Sequence, residues 1–211
     1  YRPPEWYWDH LERFDAYDRA GPAVYLGEYA AHDLGRANTL RSALAEAAYM
    51  TALERNGDVV RLSSYAPLLA KQRHHQCAPA LIYFDNTAVQ PSVNYYVQQL
   101  FGLNAGDQAL PTAVEAGDKS LAVSCVRDSH SGDLIVKIVS RADTPVAAQI
   151  ELADVGALAP EAACTVLSGD PLAANDFGRP PRALPQTLTI VAGERFAYEV
   201  PAHSLSVIRL R

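Results

Sequence analysis

The chain has 211 residues, 49% of them hydrophobic and 20% charged, and a mean hydropathy of −0.08, which excludes a disordered chain. No apolar run approaches the roughly 18 residues that a membrane-spanning helix needs. The formal charge of −6, from 18 Lys and Arg against 24 Asp and Glu, offers no broad cationic face for nucleic acid or an anionic membrane, so neither is expected as a partner.

In chain order, residues 3 to 19 are expected to form a helix opened by Pro3-Pro4, with Trp6, Leu11 and Phe14 at roughly helical intervals and Gly21-Pro22 as its stop. Ala23-Val24-Tyr25-Leu26 reads as a short strand buried on both faces, leading into Gly27-Glu28-Tyr29. Residues 38 to 56 carry the clearest helical signal: Leu40, Leu44, Ala47, Ala48 and Thr51 share a stripe, Asn38 is a candidate N-cap, and Gly57 ends the run. A strand over Asp58 to Leu62 and a helix over Val93 to Phe101 follow. This alternation is the mark of a parallel α/β layer. Beyond residue 107 the period becomes two, in Leu121/Val123/Cys125, Leu134/Val136/Ile138, Val146/Ala148/Ile150/Leu152 and Phe196/Tyr198/Val200. These predict half-buried antiparallel strands of a β-sandwich, with Gly178-Arg179-Pro180-Pro181 as a stiff exposed loop. Two architectures thus meet near residue 105. The start at Tyr1, with the single Met at position 50, suggests a piece of a longer product.

Parallel α/β folds place functional groups at the carboxyl ends of their strands, so a carboxylate just after a buried strand is the informative feature. Glu28 has that position; the plainer alternative is a solvated Glu or one paired with Arg36 or Arg41. His32 and Asp33 read as a hydrogen-bonded pair on the same rim, Asp85-Asn86 as a turn, and His74-His75 as a solvated loop rather than a metal site. Ser63-Ser64 lacks the setting of a nucleophile elbow. Cys77, Cys125 and Cys164 lack zinc-site spacing and read as buried small hydrophobes. There is no phosphate loop or dinucleotide fingerprint, and no metal or cofactor is expected. Tyr1, Tyr25, Tyr29 and Tyr65 near the rim would suit a sugar site, though packing explains them equally well.

The segments Tyr1-Arg2-Pro3-Pro4-Glu5-Trp6, Val24-Tyr25-Leu26-Gly27-Glu28-Tyr29-Ala30, residues 36 to 50 and Leu81-Ile82-Tyr83-Phe84-Asp85-Asn86 resemble the C-terminal part of glycoside hydrolase family 51 α-L-arabinofuranosidases. The resemblance is strong over residues 1 to 103 and looser beyond. It implies α/β plus all-β architecture: residues 1 to 105 as the C-terminal part of a (β/α)8 barrel, and residues 106 to 211 as a jelly-roll-like antiparallel β-sandwich. It implies retaining hydrolysis of terminal arabinofuranosyl groups from arabinan, arabinoxylan or their oligosaccharides, with Glu28 as nucleophile and Tyr1 and Tyr29 as substrate contacts. Two departures stand out. Cys77-Ala78-Pro79-Ala80 replaces a Trp-Asn-Pro-Asp segment, and the chain has no Asn-Glu pair to match the family's acid/base motif on an earlier strand. The partner implied is therefore a missing N-terminal barrel half, without which the chain is expected to be inactive. A non-catalytic carbohydrate-binding or scaffolding β-sandwich is the competing class, and a barrel glycosidase of different sugar specificity a third. The compartment stays open, extracellular or periplasmic being slightly favoured over cytoplasmic.

Overall fold

The computed structural model describes residues 1–115 and 119–211. Its first helix, α1 (Pro4–Asp9), has proline in its opening turn as expected but stops far short of residue 19. His10 contributes to the stop: its ring stacks on Trp6 at 4.1 Å and its Nδ1–H takes the Trp6 carbonyl at 2.7 Å, the acceptor that the helical ladder would use. The backbone then closes three-residue turns, with the N–H groups of Arg13, Asp15 and Tyr17 bonded to the carbonyls of His10, Glu12 and Phe14.

Strand β1 (Val24–Tyr29), helix α2 (Leu40–Arg55) and strand β2 (Val60–Tyr65) form a βαβ unit with parallel strands, the building block of a (β/α)8 barrel. A single 3-10 turn (Leu34–Arg36) precedes α2. Strands β3 (Leu69–Lys71), β4 (Ile82–Phe84) and β5 (Val89–Pro91) make a small mixed sheet, followed by α3 (Val93–Leu103). Burial of the first strand on both faces does not hold. Tyr25 is 62% exposed and Leu62 on β2 is 63% exposed, because among the described residues only one face of this sheet is covered, by the helices.

The single stripe expected on α2 also understates its burial. Every residue of α2 is buried except Arg41, Met50, Glu54 and Arg55. Ala43, Ala45, Ala47, Ala48 and Ala52 let backbones approach closely, so α2 packs tightly against α1 and α3 and, on another side, against strands of the second half. Thr39 rather than Asn38 is the N-cap, its Oγ1 accepting from Ser42 N–H. The first two amides of the helix, Leu40 and Arg41, donate to the carbonyls of Ala173 and Pro171 in a loop of the sandwich, each at 2.8 Å. The N–H groups orphaned by the first turn are thereby satisfied across the two architectures.

The second half contributes β6 (Gln108–Leu110), β7 (Leu121–Arg127), β8 (Leu134–Ser140), β9 (Val146–Glu151), β10 (Glu161–Ser168), β11 (Gln186–Val191), β12 (Arg195–Val200) and β13 (Ser204–Leu210). A six-stranded antiparallel sheet of order β11-β10-β13-β8-β7-β6 faces the pair β12-β9. Strands β9 and β12 alternate as expected, but β8 is buried at every position. Parity explains this: Leu134, Val136 and Ile138 enter the sandwich core with Phe196, Tyr198 and Val200, whereas Ile135 and Val139 pack with α2 in the other core. Lys137 joins that second face, with its side chain fully buried. Its Nζ donates to Glu54 Oε1 at 2.7 Å and lies 5.1 Å from the Phe101 ring centroid, while Ser124 Oγ donates to Glu54 Oε2 at 2.6 Å. The stiff loop at 178 to 181 is exposed, as expected, and Asn175 braces it through the N–H groups of Arg182 and Ala183.

Candidate active site

A break in pairing register decides where the carboxylate of Glu28 points. Leu26 pairs with Ser63 but Tyr29 with Tyr65, so β1 spends one residue more than β2 over this interval. A bulge of this kind reverses the alternation of side chains beyond it. Before it, Val24 and Leu26 pack toward the helices and Tyr25 faces out. After it, Glu28 faces out and Tyr29 turns in. Glu28 therefore lies within the strand, one residue from its carboxyl end, not after it, and its side chain is exposed.

Tyr1 reaches the same rim. An isolated parallel bridge joins Arg2 to Ala31, and His32 N–H donates to the Arg2 carbonyl at 2.7 Å, which lays the chain start beside the end of β1. The Tyr1 hydroxyl donates to Glu28 Oε2 at 2.7 Å, and this hydrogen bond, reinforced by partial burial, pushes the phenol up to about 12. It stays a donor throughout the ordinary pH range. His32 stacks on Tyr1 with centroids 5.0 Å apart, and burial with the nearby Arg36 holds its imidazole below the usual range.

Other residues do different work. Arg41, one suggested partner of Glu28, pairs with Asp33 instead. Burial opposes the charge of Asp33, but hydrogen bonds from Arg41, Thr39 and Leu34 N–H outweigh it and hold the carboxyl below the usual range. Asp33 is thus a structural anchor for the start of α2, not half of a rim pair with His32. Tyr29 is only 3% exposed, packs edge-on to Tyr65 and donates to Gln98 Oε1 at 3.1 Å, so its ring belongs to the core. Tyr25, by contrast, stays exposed, with its hydroxyl 3.2 Å from Ser64 Oγ. Asp85 closes a turn by accepting from the N–H groups of Thr87 and Ala88. His75 bonds the Cys77 carbonyl through Nδ1 and His74 is exposed. Cys77 is exposed, unlike the buried Cys125 and Cys164, because its loop lies outside both cores.

Two buried polar groups do work that their spacing does not announce: Asn38, expected only as an N-cap, and Glu46. Asn38 accepts from the Tyr83 hydroxyl at 3.0 Å and donates to Asn94 Oδ1 at 2.9 Å, tying β4 to α3 through the segment before α2. Glu46 on α2 is fully buried and accepts from Ala31 N–H at 2.7 Å, directly behind the rim. Nothing in the spacing distinguishes Glu46 from a solvent-facing helical Glu; only its setting among alanines hints at burial.

A family model described as the α-L-arabinofuranosidase C-terminal domain matches residues 8–204. The chain belongs to this family. Among relatives of this arabinofuranosidase domain, an extracellular exo-α-L-arabinofuranosidase of Streptomyces chartreusis is 49% identical over 112 residues, covering 53% of this chain and 13% of that protein. α-L-Arabinofuranosidase 1 of Arabidopsis thaliana is 29% identical over 203 residues, covering 92% of this chain and 30% of its own length. The structure of an arabinose-bound GH51 α-L-arabinofuranosidase superposes on the whole chain with a TM-score of 0.94 at 34% identity, the chain covering 36% of it. An arabinose complex of the Thermotoga maritima enzyme, at 16% identity, TM-score 0.77 and coverage of 96% of this chain and 46% of that one, shares the fold. The chain thus spans about an eighth to a third of the curated relatives above. The barrel-type βαβ unit and the β-sandwich are the fold of family 51 enzymes. No helix among the described residues is long and apolar enough to cross a membrane.

Proposed function

We propose that this arabinofuranosidase domain supplies the nucleophile of a retaining α-L-arabinofuranosidase, and that the nucleophile is Glu28. The observation that carries the reading is the bulge in β1, which presents an exposed carboxylate at the strand's carboxyl end with the Tyr1 hydroxyl 2.7 Å from Oε2. Tyr1 orients the group through Oε2, and no hydrogen bond to Oε1 forms among the described residues. That oxygen attacks the anomeric carbon of a terminal arabinofuranosyl unit as the glycosidic bond breaks, giving a covalent glycosyl ester that water then hydrolyses.

Such chemistry needs a second carboxyl roughly 5 Å away, first to protonate the departing oxygen and then to activate water. We assign that group to a barrel half outside these 211 residues, in keeping with the length of the relatives and the lack of an Asn-Glu pair. Without it the general-acid contribution, about 10² to 10⁴ in rate, is lost. Tyr1 remains a candidate substrate contact, whereas Tyr29 acts through packing. Arabinan- or arabinoxylan-type glycans are the proposed substrates, and the name of the Streptomyces relative supports an extracellular setting.

The test is release of arabinose from arabino-oligosaccharides by the full-length protein and its Glu28→Gln variant. The variant should lose activity by at least about 10³ with the fold intact. Retention of even a tenth of the rate would reject the assignment.

A further inference from the structure

The Glu46 carboxyl is fully buried between α2 and the end of β1. Oε1 accepts from the Ala31 N–H at 2.7 Å, and Oε2, on the side of Asn94, closes no hydrogen bond within the described residues. Ala31 is the residue that bridges to Arg2, and Glu28 lies three positions before it. One side chain therefore fastens the point where the candidate nucleophile's strand and the Tyr1 segment meet. The groups facing it are Tyr7 of α1, Tyr29 of β1, Tyr65 of β2 and Asn94 of α3, with Tyr49 of α2 packed edge-on to Tyr7. Among the described residues none of these partners is cationic.

We propose that Glu46 is a positioning residue for Glu28: a buried carboxylic acid that clamps the strand end while neutral and releases it when ionised. This rests on the reading of Glu28 as nucleophile. Burial raises the Glu46 carboxyl to about 8, against smaller opposing effects of Asn94 and the Ala31 N–H. The native protein thus keeps a proton that the unfolded chain gives up near 4.5, so this group weakens the fold as pH rises from about 4.5 to about 8. Above that, an unpaired charge occupies the buried position, and hydrating it requires α2 and the strand end to separate.

The experiment measures covalent trapping of the full-length protein by an activated 2-deoxy-2-fluoro-arabinofuranosyl fluoride. Glu28 bonds to the anomeric carbon and fluoride departs, so no general acid is needed. Labelling rate is followed by mass spectrometry from about pH 6 to about pH 10 in wild type, Glu46→Gln and Glu46→Leu. Wild-type labelling should fall several-fold through about pH 8. The Gln variant, which keeps an acceptor for Ala31 but cannot ionise, should hold its rate across that range. The Leu variant should label roughly tenfold more slowly even at the acid end, from loss of position. Should the Gln variant fold poorly, the infrared band of a protonated carboxyl in wild type must vanish at the same midpoint as the rate. An identical decline in the Gln variant, a flat wild-type profile, or an infrared midpoint away from the kinetic one overturns the proposal. Absence of label on Glu28 at every pH overturns instead the reading beneath it.

Discussion

The hydrogen bond from Tyr1 to Glu28 sets the reactivity expected at the rim. A hydrogen bond to a charged group contributes roughly 1.5–3 kcal/mol, and Tyr1 is 54% exposed, so the lower end applies here. Tyr1→Phe in the full-length protein should lower kcat/KM for an aryl arabinofuranoside about tenfold, without moving the alkaline limb, since the phenol titrates only near about 12. An unchanged kcat/KM would remove Tyr1 from the site. Glu28 is visible in sequence because an apolar run followed by Gly-Glu marks a strand end. The inward turn of Tyr29 is not, because it depends on one extra residue in β1, and a pairing register needs both strands to be seen. Glu46 stays hidden for a related reason: a glutamate in an alanine-rich helix reads as its polar face until layers are known to cover the helix on both sides.

At the scale of elements, α2 is the hub. It packs against α1, α3, β7, β8 and β13, and its stop at Gly57 and apolar stripe are legible from helical spacing alone. The shortness of α1 is not, since it turns on a His10 side chain competing for a backbone carbonyl. Nor is the double burial of β8, whose outward face is Ile135, Lys137 and Val139; a lysine there reads as solvent-facing, but it is the buried partner of Glu54. Removing one member of such a pair strands the other's charge. Lys137→Met should destabilise the protein by about 3 kcal/mol, and the double variant Lys137→Met with Glu54→Leu should recover much of that loss. Chemical denaturation of the two singles and the double checks this. Additive losses would show that the two side chains do not act as a pair.

Across the whole molecule, the two compositional halves are joined by an ion pair between the buried Lys137 and the half-buried Glu54, by backbone hydrogen bonds from Leu40 and Arg41 to the loop at 171 to 173, and by a shared hydrophobic core. The change of period near residue 105 marks a change of architecture, but the family match runs across it. We therefore expect residues 1–105 and 106–211 to unfold together. Calorimetry should show one transition, and residues 106–211 alone should expose the Ile135 and Val139 face and bind a hydrophobic dye. Two well-separated transitions would instead favour an independent sandwich, as a carbohydrate-binding module would require. The central claim concerns a single atom pair, the Glu28 carboxylate and an anomeric carbon. The most direct measurement is peptide mapping of the full-length protein after trapping with a 2-deoxy-2-fluoro-arabinofuranosyl fluoride. The account predicts one added fluoro-sugar, on the peptide containing Glu28, and none in Glu28→Gln; a label on any other carboxylate contradicts it.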